Sequence, residues 1–248
     1  QVISINNKPN GININQSCGA VDISQLSKKV VEEKADIGFA FDGDGDRLIV
    51  VDEKGMEIDG DKIIALFAKH LNQLNKTNSK FPVITTVMSN LGFEKYLLNK
   101  LKIKLKRSSV GDINVIKEMG KFNSILGGEQ SGHIILSNFS KTGDGILAAL
   151  KVIEIISKNN KTTSKSFRLY ESFPQNKVNI SYKKVLTKNL KFIENLNKEK
   201  LKDKNMRILI RKSGTEPLIR LLVEGRDINK VQEYSKYYEK KIRIKLEK

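Results

Sequence analysis

Three carboxylates stand at alternate positions in Asp42-Gly43-Asp44-Gly45-Asp46-Arg47. The intervening glycines accept backbone angles closed to other residues, so the three side chains can converge. Left empty, they repel one another. A divalent cation relieves that repulsion, and an all-oxygen donor set selects a hard ion, Mg²⁺ ahead of Ca²⁺ or Mn²⁺. An EF-hand is excluded, because its sharp-turn glycine falls on Arg47 and residues 48–51 read as β-type apolar sequence. The plain alternative is a solvated Asp-Gly turn, but three carboxylates with only glycine between them favour a metal loop.

A second cluster, Arg211-Lys212-Ser213-Gly214-Thr215-Glu216-Pro217, has the parts of a phosphate cradle. Arg211 supplies a planar fork for two phosphate oxygens. Ser213 and Thr215 add hydroxyls, and Gly214 lets backbone N–H groups approach closely. Alone, the same residues also make an ordinary polar hairpin; next to an acidic metal loop they belong to one chemistry. A third cluster is Gly127-Gly128-Glu129-Gln130-Ser131-Gly132-His133. If that loop is extended, Glu129 and Ser131 point one way, an acceptor and a donor-acceptor for the vicinal hydroxyls of a sugar. His133 has the chemistry to move a proton near neutral pH, although a lone histidine is more often structural.

The elements that must hold these loops alternate. Residues 2–5 alternate like a strand. Asp22 or Ser24 caps a helix carrying Leu26, Val30 and Val31, and strands over 37–41 and 48–51 flank the acidic loop. Asp59 caps a helix with Ile63, Leu66, Phe67, Leu71 and Leu74 on its apolar spacing. A strand over 83–87 precedes a helix, strand and helix marked by Phe93, Leu97, Leu101, Ile103, Leu105, Ile113, Ile116 and Met119. Short strands at 124–126 and 134–136 bracket the third cluster. Ile146, Leu147, Leu150, Ile153 and Ile156 line a long helix. Past about 170 comes a β run at 178–182, a polar helical stretch, paired strands at 206–210 and 218–223 around the phosphate cluster, and a last helix over 228–242. This is an α/β chain of mixed-sheet α/β domains followed by a smaller α+β domain, with a boundary at the polar stretch 158–165 and Pro174.

Composition narrows the function classes. The formal charge is +17, but the lysines are spread along the chain, without arginine-aromatic clusters and without Trp; this reads as a solvated surface rather than a specific nucleic-acid binder. No apolar run approaches the ~20 residues of a membrane span, and no signal segment opens the chain. A single cysteine, Cys18, forms no internal disulfide, which fits a cytoplasmic protein. Gln1 in place of Met suggests a chain cut from something longer.

The order of the three clusters resembles the α-D-phosphohexomutases. Pro9-Asn-Gly-Ile-Asn-Ile14, Met88-Ser-Asn-Leu-Gly92, Val110-Gly-Asp112, Thr142-Gly-Asp-Gly-Ile146 and the stretch 211–225 are similar to the phosphoglucosamine mutase branch of that superfamily. The resemblance covers essentially all 248 residues and implies phosphohexomutase-type domains: the end of domain two with the metal loop (1–52), domain three with the sugar loop (53–165) and domain four with the phosphate loop (166–248). It implies interconversion of glucosamine 6-phosphate and glucosamine 1-phosphate through a phosphoserine enzyme and a bisphosphate intermediate, in cell-wall precursor synthesis. Asp42, Asp44 and Asp46 would then hold Mg²⁺, and Arg47 would lie beside the transferring phosphate. Glu129 and Ser131 would hold sugar hydroxyls, and His133 would contact the reacting region. Arg211, Ser213, Gly214, Thr215 and Arg220 would clamp the phosphate that does not react.

The sequence departs from the family in two places. No Thr-x-Ser-His-Asn-Pro loop with the nucleophilic serine is present, so the chain is expected to be inactive without an N-terminal phosphoserine domain. Ile113-Asn114 follow Val-Gly-Asp where the family often has a basic or aromatic residue. Two rival readings stand beside the glucosamine one. A phosphomannomutase/phosphoglucomutase usually has Met where this chain has Gln130, and often Asn where it has Gly214. A phosphosugar-binding remnant without activity is the other.

Overall fold

The computed structural model describes residues 1–74, 81–182, 187–198, 201, 203–213 and 216–246. The chain divides into two compact units, Gln1–Ser89 with Phe93–Glu171, and Asn90–Gly92 with Ser172–Lys248.

In the first unit, residues 2–5 form no strand despite their alternation. Val2 and Ile3 are exposed, and among the described residues no strand lies beside them for the alternation to pair with. The Asp22 carboxylate takes hydrogen bonds from the Ser24 N–H (3.0 Å) and hydroxyl (2.6 Å) where α1 (Ser24–Glu32) begins. Strands β1 (Ile37–Phe41), β2 (Leu48–Asp52) and β3 (Glu57–Ile58) make an antiparallel sheet in that order. Phe41 pairs with Leu48, so the acidic loop is the connection of the β1–β2 hairpin. As expected, Asp59 caps α2 (Gly60–Gln73), its carboxylate accepting from the Lys62 N–H at 3.1 Å.

A second sheet of the same unit contains β4 (Val83–Thr86), β5 (Leu105–Ser108), β6 (Leu126–Gly128) and β7 (Ile134–Leu136), in the order β5-β4-β6-β7. Central β4 is buried throughout and parallel to β5 and β6; β7 turns back antiparallel to β6. The connections are α3 (Leu91–Tyr96), which runs into a π-helical turn at Leu97–Leu101, and α4 (Asp112–Phe122). Helices α5 (Gly145–Ser157) and α6 (Thr163–Phe167) follow β7. Leu48 and Val50 of β2 share one core with Ile63, Ile64 and Phe67 of α2, Val83, Phe93, Leu126 and Val152. The metal-loop hairpin is thus packed into the α/β layer. The polar stretch read as a boundary contains the start of α6, whose Thr163, Ser166 and Phe167 are buried.

The second unit is the expected α+β fold. Strands β8 (Gln175–Ser181), β9 (Met206–Lys212) and β10 (Leu218–Gly225) form an antiparallel sheet, β8-β10-β9, packed with α7 (Thr187–Lys198) and α8 (Ile228–Leu246). Ile180, Ile210, Ile219, Leu221, Val223, Val231, Tyr238 and Ile242 make its core. Buried Glu224 pairs with Arg207 and accepts from the Gln175 amide (2.7 Å) and the Leu91 N–H (3.2 Å), which ties residues 90–92 into this unit.

Candidate metal centre and phosphosugar loops

The three aspartates converge. Asp42, Asp44 and Asp46 each offer a carboxylate oxygen, and these oxygens lie within 4.8 Å of one another. Unit charges at that spacing near a protein surface repel by about 3 kcal/mol before solvent screening. The strain shows in the titration of the pair nearest the protein. Burial and the neighbouring Asp42 carboxylate hold Asp46 above the ordinary carboxylate range. Burial also pushes Asp42 up, but hydrogen bonds from the Arg47 N–H and from Asp46 outweigh it, and Asp42 lies below its usual value. Arg47 Nε is buried, with no hydrogen-bond partner among the described residues, 3.4 Å from Asp42 Oδ2 and 3.9 Å from Asp46 Oδ1. An all-carboxylate cluster with strained oxygens and one adjacent unsatisfied cationic donor fits a small hard cation together with an anionic group.

The sugar loop is attached directly to this centre. His133 is buried, its Nδ1 lies 2.9 Å from Asp46 Oδ2, and its backbone forms an isolated antiparallel bridge with Arg47. The Leu48 N–H donates to the Gly132 carbonyl at 2.9 Å. The loop is not extended. The Glu129 N–H reaches the His133 carbonyl (2.8 Å) and the Gly132 N–H reaches the Glu129 carbonyl (3.1 Å), closing a tight turn. Glu129 is therefore buried, its carboxylate accepting from the Gly111 N–H at 3.0 Å, while Ser131 is exposed at the turn tip. Gln130 donates from its amide to the Asp59 carboxylate at 3.1 Å, so the α2 cap also pins this turn.

One contributor was not assigned a role from the sequence alone: Thr142-Gly143-Asp144-Gly145-Ile146. Asp144 caps α5 by accepting from the Leu147 N–H at 2.8 Å, and the Gly145 N–H donates to the Gly45 carbonyl at 2.9 Å. A Cβ on Gly145 would meet the Arg47 carbonyl at 2.5 Å, and one on Gly143 would meet the His133 ring at 2.5 Å. Both glycines are required by close approach, and their pairing around a capping aspartate is the signal that marks the segment as a brace.

The phosphate cluster lies in the second unit. Arg211 and Arg220 face one another across β9 and β10. Burial, and then the charge of Arg220, lower the Arg211 pKa. Arg220 reaches the Glu216 carboxylate at 2.7 Å, while its buried Nε has no hydrogen-bond partner among the described residues. Ser213 is buried, its N–H donating to the Leu218 carbonyl at 2.8 Å and its hydroxyl accepting from the Glu216 N–H at 3.4 Å. Gly214 and Thr215 lie outside the described residues.

Three sequence families match in series: phosphoglucomutase/phosphomannomutase alpha/beta/alpha domain II over residues 4–55, alpha/beta/alpha domain III over 59–173, and the C-terminal domain over 177–240. The chain belongs to the phosphohexomutase superfamily. Among curated relatives, the phosphoglucosamine mutase of Bartonella bacilliformis is 46% identical over 236 residues, 92% of this chain and 50% of the relative. That of Fusobacterium nucleatum is 47% identical over 235 residues, 92% of this chain and 51% of the relative. The chain thus spans about half the length of these phosphohexomutase relatives. The fold agrees with a phosphoglucomutase/phosphomannomutase family protein from Burkholderia thailandensis (TM-score 0.75, 20% identity, covering 91% of this chain and 50% of that one). It also agrees with the Aspergillus fumigatus N-acetylphosphoglucosamine mutase in complex with GlcNAc-6P and magnesium (TM-score 0.69, 19% identity, 90% and 56%).

Proposed function

We propose that this chain is the metal-, sugar- and phosphate-binding portion of a phosphoglucosamine mutase, interconverting glucosamine 6-phosphate and glucosamine 1-phosphate in cell-wall precursor synthesis. The observation that carries the reading is the join between Asp46 and His133, which couples a three-carboxylate cluster to the sugar loop. The sequence similarity to curated phosphoglucosamine mutases supports the same substrate.

On this reading residues 1–52 are the end of domain two, 53–165 domain three and 166–248 domain four. Asp42, Asp44 and Asp46 hold Mg²⁺, which when bound draws charge off a phosphoryl oxygen. Arg47, whose Nε lies against Asp42 and Asp46, stands beside that phosphoryl group. Ser131 receives a sugar hydroxyl at the exposed turn tip, Glu129, held from behind by the Gly111 N–H, contributes its carboxylate, and His133 orients Asp46. Arg211 and Arg220, with Ser213, Gly214 and Thr215, grip a phosphate of the sugar phosphate. The nucleophilic phosphoserine would come from outside residues 1–248, and these residues by themselves would turn over no substrate. The reading places the protein in the cytoplasm without specific nucleic-acid or membrane partners; among the described residues no helix is long and apolar enough to cross a membrane.

The test is a chimera in which this chain replaces the corresponding half of the Bartonella bacilliformis relative. Turnover of glucosamine 6-phosphate well above that of mannose 6-phosphate is expected. Equal or reversed preference moves the reading to a phosphomannomutase/phosphoglucomutase, and no turnover of either favours a binding remnant.

A further inference from the structure

The loop that follows β5 lies outside the metal, sugar and phosphate loops, yet it reaches one of their residues. Strands β5 and β6 flank β4 and both run parallel to it. The loops after them therefore leave the sheet at the same end, the carboxyl end where open α/β sheets bind ligands. The Val110–Gly111 peptide stands in the first loop, and Glu129 follows β6 in the second. That peptide unit is held at both ends. Its N–H, from Gly111, donates to Glu129 Oε1 at 3.0 Å. Its carbonyl, from Val110, accepts from the Asn114 side-chain amide at 2.8 Å. The plane cannot turn without breaking both bonds. Gly111 has a φ of +113°, which residues with a side chain rarely adopt. A Cβ there would lie 3.4 Å from Asn114 Nδ2, so glycine is needed for the angle rather than for space.

Glu129 has little other freedom. Its own N–H and carbonyl are tied into the turn by His133 and Gly132. The residue is only 9% exposed, so its carboxylate has lost most of its water and needs a donor to stay charged. The Gly111 N–H is that donor. We propose that Asn114 is a positioning residue for Glu129. By gripping the Val110 carbonyl it aims the Gly111 N–H, and that N–H sets where the Glu129 carboxylate meets a sugar hydroxyl. Without the Asn114 bond the peptide plane is free to turn, the N–H leaves Oε1, and the carboxylate follows whatever donor water offers. Recognition of the hydroxyl is thus governed by a side chain that does not touch the substrate. The step to the sugar rests on the proposed mutase reading; the link from Asn114 to Glu129 does not.

The test is Asn114→Asp in the 248-residue chain. An ionised aspartate cannot donate to the Val110 carbonyl. A carboxylate in the first turn of α4 suits the helix dipole, so the Tm should stay within about 2 °C of the parent. By NMR the Gly111 amide should lose hydrogen-exchange protection, and the Glu129 carboxyl carbon should shift. Glucosamine 6-phosphate should bind the variant about 5-fold or more weakly, the loss of a well-placed bond to a charged group. Inorganic phosphate should bind parent and variant alike. In a Glu129→Ala background the same substitution should cost no further affinity for the sugar phosphate. An unmoved Glu129 carboxyl carbon overturns the proposal whatever the ligand does. So does an unchanged affinity for glucosamine 6-phosphate, an equal weakening of both probes, or a loss that persists without Glu129, since Asn114 would then act other than through that carboxylate. A parent chain that binds glucosamine 6-phosphate no better than inorganic phosphate, while the substitution still shifts the Glu129 carbon, sinks the mutase reading and leaves the link from Asn114 to Glu129 standing.

Discussion

Nδ1 of His133 lies 2.9 Å from Oδ2 of Asp46, and the two backbones beside it pair through the Arg47–His133 bridge. A residue of the 127–133 loop thus orients a carboxylate of the acidic loop. His133→Ala should weaken Mn²⁺ or Mg²⁺ binding by about 10–100-fold, the usual cost of losing a group that orients a ligand. Titration calorimetry on the whole chain reads this directly. An unchanged Kd would show that the hairpin alone sets the Asp46 geometry.

The aspartate cluster makes a prediction with two signs. Asp44 is exposed but shares a 4.8 Å neighbourhood with two other carboxylates. Asp44→Asn removes one repelling charge, so the metal-free chain should gain up to about 1 kcal/mol. The same variant should lose most of the Tm rise that the parent shows on adding millimolar Mg²⁺. Thermal melts with and without EDTA check both halves.

Acid should loosen the contact between β2–β3 and α6. Partial burial pushes the Glu53 carboxyl up, but hydrogen bonds from the Ser164 hydroxyl and N–H outweigh this and hold it at about 2. The folded value is below the ordinary 4.5, so the stabilisation is fully present above that value and is lost as pH falls from about 4.5 through about 2. Ser164→Ala should cost about 1–2 kcal/mol at pH 7 and flatten the pH dependence of stability in that window. Urea melts at pH 7, 4 and 3 give the comparison.

Arg211 and Arg220 sit opposite one another, and Arg220 is paired with the Glu216 carboxylate. Like charges in facing positions destabilise a sheet unless an anion lies between them. Arg220→Met should leave the anion-free chain as stable as the parent or slightly more so, and weaken glucosamine 6-phosphate binding by at least about 10-fold. NMR titration of the full chain measures this. Undiminished shifts at Ser213 in the variant would exclude Arg220 from the phosphate grip.

Much of this was legible in the residues. The hairpin around the acidic loop, the Asp59 cap, the β9–β10 pair and the final helix follow from local spacing and turn chemistry. The misreadings share one cause, tertiary context. Residues 2–5 alternate but join no strand among the described residues. Ile113 fits a helical period, yet it is Val115 and Met119 that α4 buries. The α5 stripe was the conspicuous apolar spacing, but the sheet takes the small residues Ala148 and Ala149 because they allow close approach, leaving the larger ones outside. In the sugar loop, two-residue alternation placed Glu129 and Ser131 together. The bonds Glu129 makes with Gly111, Gly132 and His133, partners 18 to 3 residues away, decide otherwise.

The stitching of the metal loop also orders events in time. The Gly45 carbonyl is satisfied from residue 145, Leu48 from residue 132, and Asp46 from residue 133, each about 85 to 100 positions along the chain. Closing such long loops comes late in refolding. Added magnesium should therefore slow unfolding and leave the refolding rate almost unchanged: the ion arrives at a finished cradle and nucleates nothing.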